Sequence, residues 1–134
     1  MGEKTKVVVL CGSSRFTDVM AVCAWLLERD EQAIAMGLHL LPWWYSDEKI
    51  PDHLAEHEGV ATEMDALHMR KIDLADEIFV VNVKHYIGES TTNEIEYAKA
   101  NDKRIRWYTD DDIGAQCALL IEEAIQRDKS VETD

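Results

Sequence analysis

Lys6-Val7-Val8-Val9-Leu10-Cys11-Gly12-Ser13-Ser14-Arg15-Phe16 decides the fold. Its first half, Lys6–Cys11, is a continuous apolar and β-branched run, the pattern of a strand buried on both faces. Gly12-Ser13-Ser14 breaks the run. From Phe16 to about Met36 the apolar residues Val19, Met20, Val22, Cys23, Leu26 and Leu27 recur at helical spacing. A buried strand feeding a helix through a short Gly/Ser turn is the opening of a βαβ unit.

The same alternation continues outward. Gly37 closes the first helix, and Leu38–Trp43 reads as a second strand ended near Pro42. Residues 44–60 are polar, contain Pro51, and read as a loop or lid. Thr62 with Asp65 resembles a helix start, and Met64, Leu67, Ile72 and Leu74 carry that helix onward. Glu77-Ile78-Phe79-Val80-Val81-Asn82-Val83 is the clearest strand. A loop containing Gly88 precedes a helix from about Thr92 to Asn101. Arg104–Thr109 reads as the last strand, Ala115–Arg127 as the last helix and 128–134 as a polar tail. Strict alternation with apolar strands predicts one α/β domain over residues 1–134: a doubly wound parallel sheet of about 4–5 strands, flavodoxin-like or Rossmann-like. Ligands of such sheets bind beyond the carboxyl ends of the strands. That directs attention to the loops 11–16 and 82–94.

Composition narrows the function. The 134 residues, 46% hydrophobic and 31% charged, suffice for one core and are too few for two domains of usual size. A net charge of −13 argues against a coat on duplex nucleic acid or on an anionic membrane, which both need a basic surface. A small anionic ligand needs only a few local donors. No apolar run approaches the ~20 residues of a membrane span, and the first residues lack a signal peptide's apolar stretch. Cys11, Cys23 and Cys117 are widely spaced, which suits a reduced, cytoplasmic setting without a disulfide framework.

Two loops carry candidate chemistry. Cys11-Gly12-Ser13-Ser14-Arg15 offers a tight turn, Ser donors, a helix N-terminus and a forked guanidinium, all suited to a phosphate or sugar. The pattern is neither GxxxxGK[ST] nor GxGxxG. A plain strand-to-helix turn with a Ser cap would leave the same residues. In Tyr86-Ile87-Gly88-Glu89-Ser90-Thr91-Thr92-Asn93-Glu94, hydroxyls crowd a helix start and Glu94 falls in its first turn. There the helix dipole would keep it ionised, as a nucleophile or base. A residue that only caps the helix would also stand there. His53-Leu54-Ala55-Glu56-His57 fits the HxxEH zinc-peptidase expression but sits in an acidic, Pro-bearing segment, as a chance match would. Trp43-Trp44-Tyr45 could stack on a base or cover a subunit contact.

Taken in order, these residues resemble the nucleoside 2-deoxyribosyltransferase superfamily, closest in motif to the (2′-deoxy)nucleoside 5′-monophosphate N-glycosidases. Cys11-Gly12-Ser13-Ser14-Arg15 is similar to the family's first-loop CGSxR, Ala75-Asp76 to the "AD" before its central strand, and Asn93-Glu94 through Ala98 to Lys103-Arg104-Ile105 to its catalytic Glu, helix and "KRI". The resemblance spans roughly Val7 to Trp107. It implies a hydrolase acting on the base–sugar bond of a nucleoside 5′-monophosphate, without metal or cofactor, through Glu94 as nucleophile and a glycosyl–enzyme intermediate. His68, Asp73 and Asp76 remain open as the residue assisting the leaving base, with Asp73 and Asp76 favoured by periodicity as the further catalytic residues. Cys11, Gly12, Ser13, Ser14, Arg15, Phe16, His68, Asn82, Gly88, Ser90, Thr91 and Asn93 are the expected substrate contacts. A homodimer or higher homo-oligomer with a shared site is also implied. Gly88 stands six residues before the Glu, where transferases carry Asp and nucleotide hydrolases Ser, which disfavours a deoxyribosyltransferase. A non-catalytic sensor of a nucleotide or ADP-ribose-like ligand could use the same sheet and loops. A plain interaction domain, its acidic surface facing a basic partner, would need neither loop.

Overall fold

The computed structural model describes residues 4–39, 41, 43–46 and 58–133. Strand β1 (Val7–Gly12) leads through a single 3₁₀ turn into helix α1 (Thr17–Glu31), followed by β2 (Ile34–Met36) and a one-turn helix α2 (Trp43–Ser46). Helix α3 (Ala61–Leu74), β3 (Glu77–Val81), α4 (Glu89–Ala100), β4 (Arg104–Trp107) and α5 (Asp112–Thr133) follow among the described residues. All strand pairs are parallel, in the order β2-β1-β3-β4, as expected of a flavodoxin-like doubly wound sheet.

Alternation along the strands sorts two cores. Val8, Leu10, Phe79 and Val81 face α1 and α5, with Leu26, Leu27, Cys23 and Cys117 packed between. Val9, Cys11, Ile78 and Val80 face α3 and α4, against Ile72, Ile95 and Ala98. Every residue of β3 is buried, which explains why its apolar run is continuous.

The second strand departs from the sequence reading. The residues at 34–36 pair with Val7–Val9, whereas 38–39 carry no strand and Trp43 begins a helical turn. Helix α1 ends at Glu31 because Gln32 adopts the left-handed conformation (φ 52) and its N–H caps the Glu28 and Leu27 carbonyls. A Gln in that conformation leaves no glycine signal. The last helix begins at Asp112 and runs through Thr133, so the expected polar tail is helical where described.

Two glycines are dictated by close backbone approach. A Cβ at Gly12 would sit 3.1 Å from the Val81 carbonyl oxygen, where β1 and β3 run side by side. A Cβ at Gly114 would lie 1.9 Å from the Tyr108 carbonyl oxygen, because the first turn of α5 rests on the turn after β4. Gly114→Ala must therefore push α5 off that turn. The expected cost is at least the ~1–3 kcal/mol of core overpacking, read as a lowered midpoint in thermal or urea denaturation. An unchanged midpoint would contradict the packing.

Candidate active site

The carboxyl ends of β1 and β3 are neighbours, since Gly12 pairs with Val81. Their following loops therefore lie side by side at the point where strand order reverses, the position at which such sheets bind ligands. The contact between the loops is aromatic and cationic. The Arg15 guanidinium carbon lies 4.3 Å from the Tyr86 ring centroid, and Phe16 meets the same ring edge-on at 6.0 Å. Tyr86 follows a turn in which Lys84 (φ 54) and His85 (φ 64) both hold left-handed backbone conformations, an arrangement of stored strain that accumulates at functional sites.

Beneath these loops three polar side chains converge inside the α3/α4 core. Cys11, near the end of β1, puts its Sγ 3.4 Å from Nε2 of His68. The same Nε2 is 3.3 Å from Oε1 of Glu94. His68 reaches this point because it shares the inward stripe of α3 with Ile72, one turn away. Glu94 lies on the inward stripe of α4 with Thr91, Ile95 and Ala98. A carboxylate on an otherwise apolar stripe is costly to bury.

The electrostatics follow from that burial. Desolvation pushes Glu94 up to about 7, against a lowering hydrogen bond from Cys11 and with the Asp65 charge adding to the rise. Desolvation, with the Lys71 charge, pushes His68 down to about 4, so the imidazole is neutral at pH 7. Burial and the Glu94 charge push the Cys11 thiol well up. A neutral imidazole carries one ring proton, yet both partners face Nε2 and the buried Nδ1 has no hydrogen-bond partner. This is not the relay of a nucleophilic cysteine, which needs thiol and acid on opposite ring nitrogens. Cys11 is a protonated, buried thiol rather than a nucleophile.

The structure corrects several expectations. Glu94 is the sixth residue of α4, in the second turn, because the helix begins at Glu89 with Gly88 as its N-cap. Its pKa is raised by burial, not held low by the helix dipole. Asp73 and Asp76 do not join the cluster. Asp76 Oδ2 accepts the Val7 N–H at 2.8 Å, at the amino end of the sheet, and Asp73 accepts the Tyr97 hydroxyl. Their carboxylates serve local structure at the end opposite the loops. Asn82 is buried, and its amide joins the turn after β4 to the end of β3: Nδ2 donates to the Thr109 hydroxyl at 3.1 Å and Oδ1 accepts the Thr109 N–H at 3.3 Å. Thr91 is buried as well, whereas Glu89, Ser90, Thr92 and Asn93 are exposed at the start of α4. Ser13 Oγ accepts the Arg15 N–H at 3.3 Å, which fixes the first loop and leaves the Arg15 side chain exposed. The HxxEH sequence at 53–57 and most of the 44–60 segment lie outside the described residues. Tyr86 and Asp65 had no legible role in the sequence, since only the fold carries them to Arg15 and Glu94.

A cleft of about 490 Å³ lies elsewhere, between the end of α1, β4 and the start of α5. Arg106 there is fully engaged by carboxylates, and Arg104 is exposed and pairs with Glu77 through one nitrogen. The lining also carries Asp30, Glu31, Asp110, Asp111 and Asp112, an acidic surround that disfavours an anion. Among the described residues no helix is long and apolar enough to cross a membrane. Comparison of the chain with protein-family models, with curated proteins and with solved structures finds no match, so the residues themselves carry the functional reading.

Proposed function

We propose that the protein is an N-glycosidase that hydrolyses the base–sugar bond of a nucleoside or 2′-deoxynucleoside 5′-monophosphate. One observation carries the reading: a buried carboxylate, Glu94, stands at the switch point of the sheet, beneath a loop pair that presents Arg15, Ser13 and Ser90. The motif order from Cys11 to Lys103-Arg104-Ile105 supports the same reaction class.

In this mechanism the ionised Glu94 oxygen attacks the anomeric carbon of the sugar. The carbon–nitrogen bond breaks, its electron pair passes to the base, and the base takes up a proton as it leaves. Water then cleaves the glycosyl ester, which restores the carboxylate and releases the sugar 5-phosphate. His68 is a positioning residue: its Nε2, 3.3 Å from Glu94 Oε1, fixes the orientation of the attacking oxygen. Arg15, an exposed fork above Tyr86, supplies the charge for the phosphate.

Incubation with a panel of nucleoside 5′-monophosphates, followed by chromatography for free base, tests the function. The reading expects base from at least one nucleotide, whereas tight nucleotide binding without base release would favour a sensor on the same sheet. The phosphate assignment has its own test. Arg15→Ala is expected to lower kcat/KM for the monophosphate by at least tenfold, about 1.4 kcal/mol, and to leave the corresponding nucleoside almost unchanged. Equal losses on both substrates would contradict it.

A further inference from the structure

Cys11 Sγ, His68 Nε2 and a Glu94 carboxylate oxygen come from three different elements, are all buried, and lie no farther than 4.8 Å from one another. We propose that this triad is a zinc-binding site, and that Zn²⁺ held there blocks base release by taking Glu94 as a ligand. The second half rests on the glycosidase reading; the binding itself does not.

The spacing fits the ion. With zinc at its usual ~2.3 Å from sulfur and ~2.0–2.2 Å from nitrogen and oxygen, tetrahedral angles place S and N about 3.6 Å apart and N and O about 3.4 Å apart. The observed separations are 3.4 Å and 3.3 Å. A modest turn of the Glu94 carboxyl, the least enclosed of the three groups with its side chain 11% exposed, brings the third edge into range.

The chemistry fits too. Thiolate and imidazole select zinc over calcium or magnesium, which prefer all-oxygen shells. A dication held by one thiolate, one carboxylate and one neutral imidazole has no net charge, which suits a buried place. The ligand protons are released to solvent as the metal–ligand bonds form. Nε2 faces both other ligands, so no ring flip is needed. Three protein ligands leave a fourth position for water.

Cobalt(II), the spectroscopic stand-in for zinc, tests the site in the reduced, chelator-treated full chain. One equivalent is expected to give a thiolate-to-cobalt charge-transfer band and intense four-coordinate visible bands, both removed by one equivalent of Zn²⁺. Cys11→Ser should lose the charge-transfer band, while Cys23→Ser and Cys117→Ser keep it. Glu94→Gln retains shape, so it decides the matter should Cys11→Ser fail to fold. It and His68→Gln should each weaken cobalt affinity at least about tenfold, the least that disturbing a ligand shell costs. Absence of the band, its persistence in Cys11→Ser, or undiminished affinity in Glu94→Gln would overturn the site. A chain that binds cobalt as described yet releases no base from any nucleotide upholds the site and removes the glycosidase. Undiminished base release from protein saturated with Zn²⁺ would overturn the assignment of Glu94 as a ligand.

Discussion

Glu94→Gln is expected to lower base release by several powers of ten while nucleotide binding persists, because an amide cannot form the glycosyl ester. The same variant should be more stable than the parent above neutral pH. The sign follows from burial. Glu94 holds its proton up to about 7 in the folded chain but only to the ordinary carboxylate range in the unfolded one. Between those values the folded state binds more protons, so stability falls as pH rises through about 7. Gln at this position escapes that loss. In chelator-treated protein the parent's melting temperature should therefore fall relative to that of Glu94→Gln between pH 5 and pH 8. Turnover by the parent should rise over the same interval, as the nucleophile ionises. A residue that merely capped a helix would show neither effect, only about 1 kcal/mol of stability and unaltered turnover. Parallel melting curves with equal turnover would remove Glu94 from the mechanism.

The largest effect on stability is expected at Arg106. Its side chain is 7% exposed and makes five hydrogen bonds: two to Glu31, two to Asp111 and one to Glu77. Those satisfy all five guanidinium donors. The group also lies over the Phe79 ring, with 5.4 Å between the guanidinium carbon and the ring centroid. Arg106→Met removes the buried counter-charge that Glu77, Glu31 and Asp111 share, with Lys6 still beside Glu77 and Glu31 and Arg104 beside Glu77. Breaking a buried ion network from one side costs about 3–5 kcal/mol, and denaturant titration should show a loss of that order. The network is also pH-linked. The Arg106 hydrogen bonds, with Lys6 helping against desolvation, hold Glu31 down at about 2. Its contribution is fully present above the ordinary carboxylate range and is lost as pH falls through about 2. The gap between parent and Arg106→Met should thus be wide at pH 7 and narrow toward pH 2. A constant gap would show that the charge pairing is not what stabilises the parent.

How much of this was legible in sequence depended on how local each signal is. β3 was readable because Ile78–Val81 is a short β-branched and aromatic apolar run between polar residues, the pattern of a strand covered on both faces. β2 was not, because three residues at a sheet edge carry almost no pattern and Gln32, rather than a glycine, ends the helix before it. Glu94 and the 11–16 loop could be singled out because a Gly/Ser turn after a strand and a carboxylate beside a hydroxyl-rich loop are short-range features. The start of α4 at Glu89, which buries Glu94 in the second turn, left no such mark. The partnership of Cys11 with His68 spans 57 residues. That of Arg106 with Glu31 spans 75. Neither periodicity nor spacing can bring such pairs together; only the sheet order does. Periodicity misled on Asp73 and Asp76, because the carboxyl end of α3 leads into the amino end of β3, across the sheet from the loops.

A mass measurement on Glu94 itself tests the covalent mechanism most directly. A nucleotide that releases base is replaced by its 2′-fluoro-arabino analogue, whose fluorine destabilises oxocarbenium character and slows hydrolysis of the glycosyl ester. The reaction is quenched, and the protein is digested and weighed. The account predicts a peptide containing Glu94 heavier by one fluorinated sugar phosphate, and no such peptide from Glu94→Gln. Free base accumulating past one equivalent while the Glu94 peptide stays unmodified, or an adduct on any other residue, would contradict it.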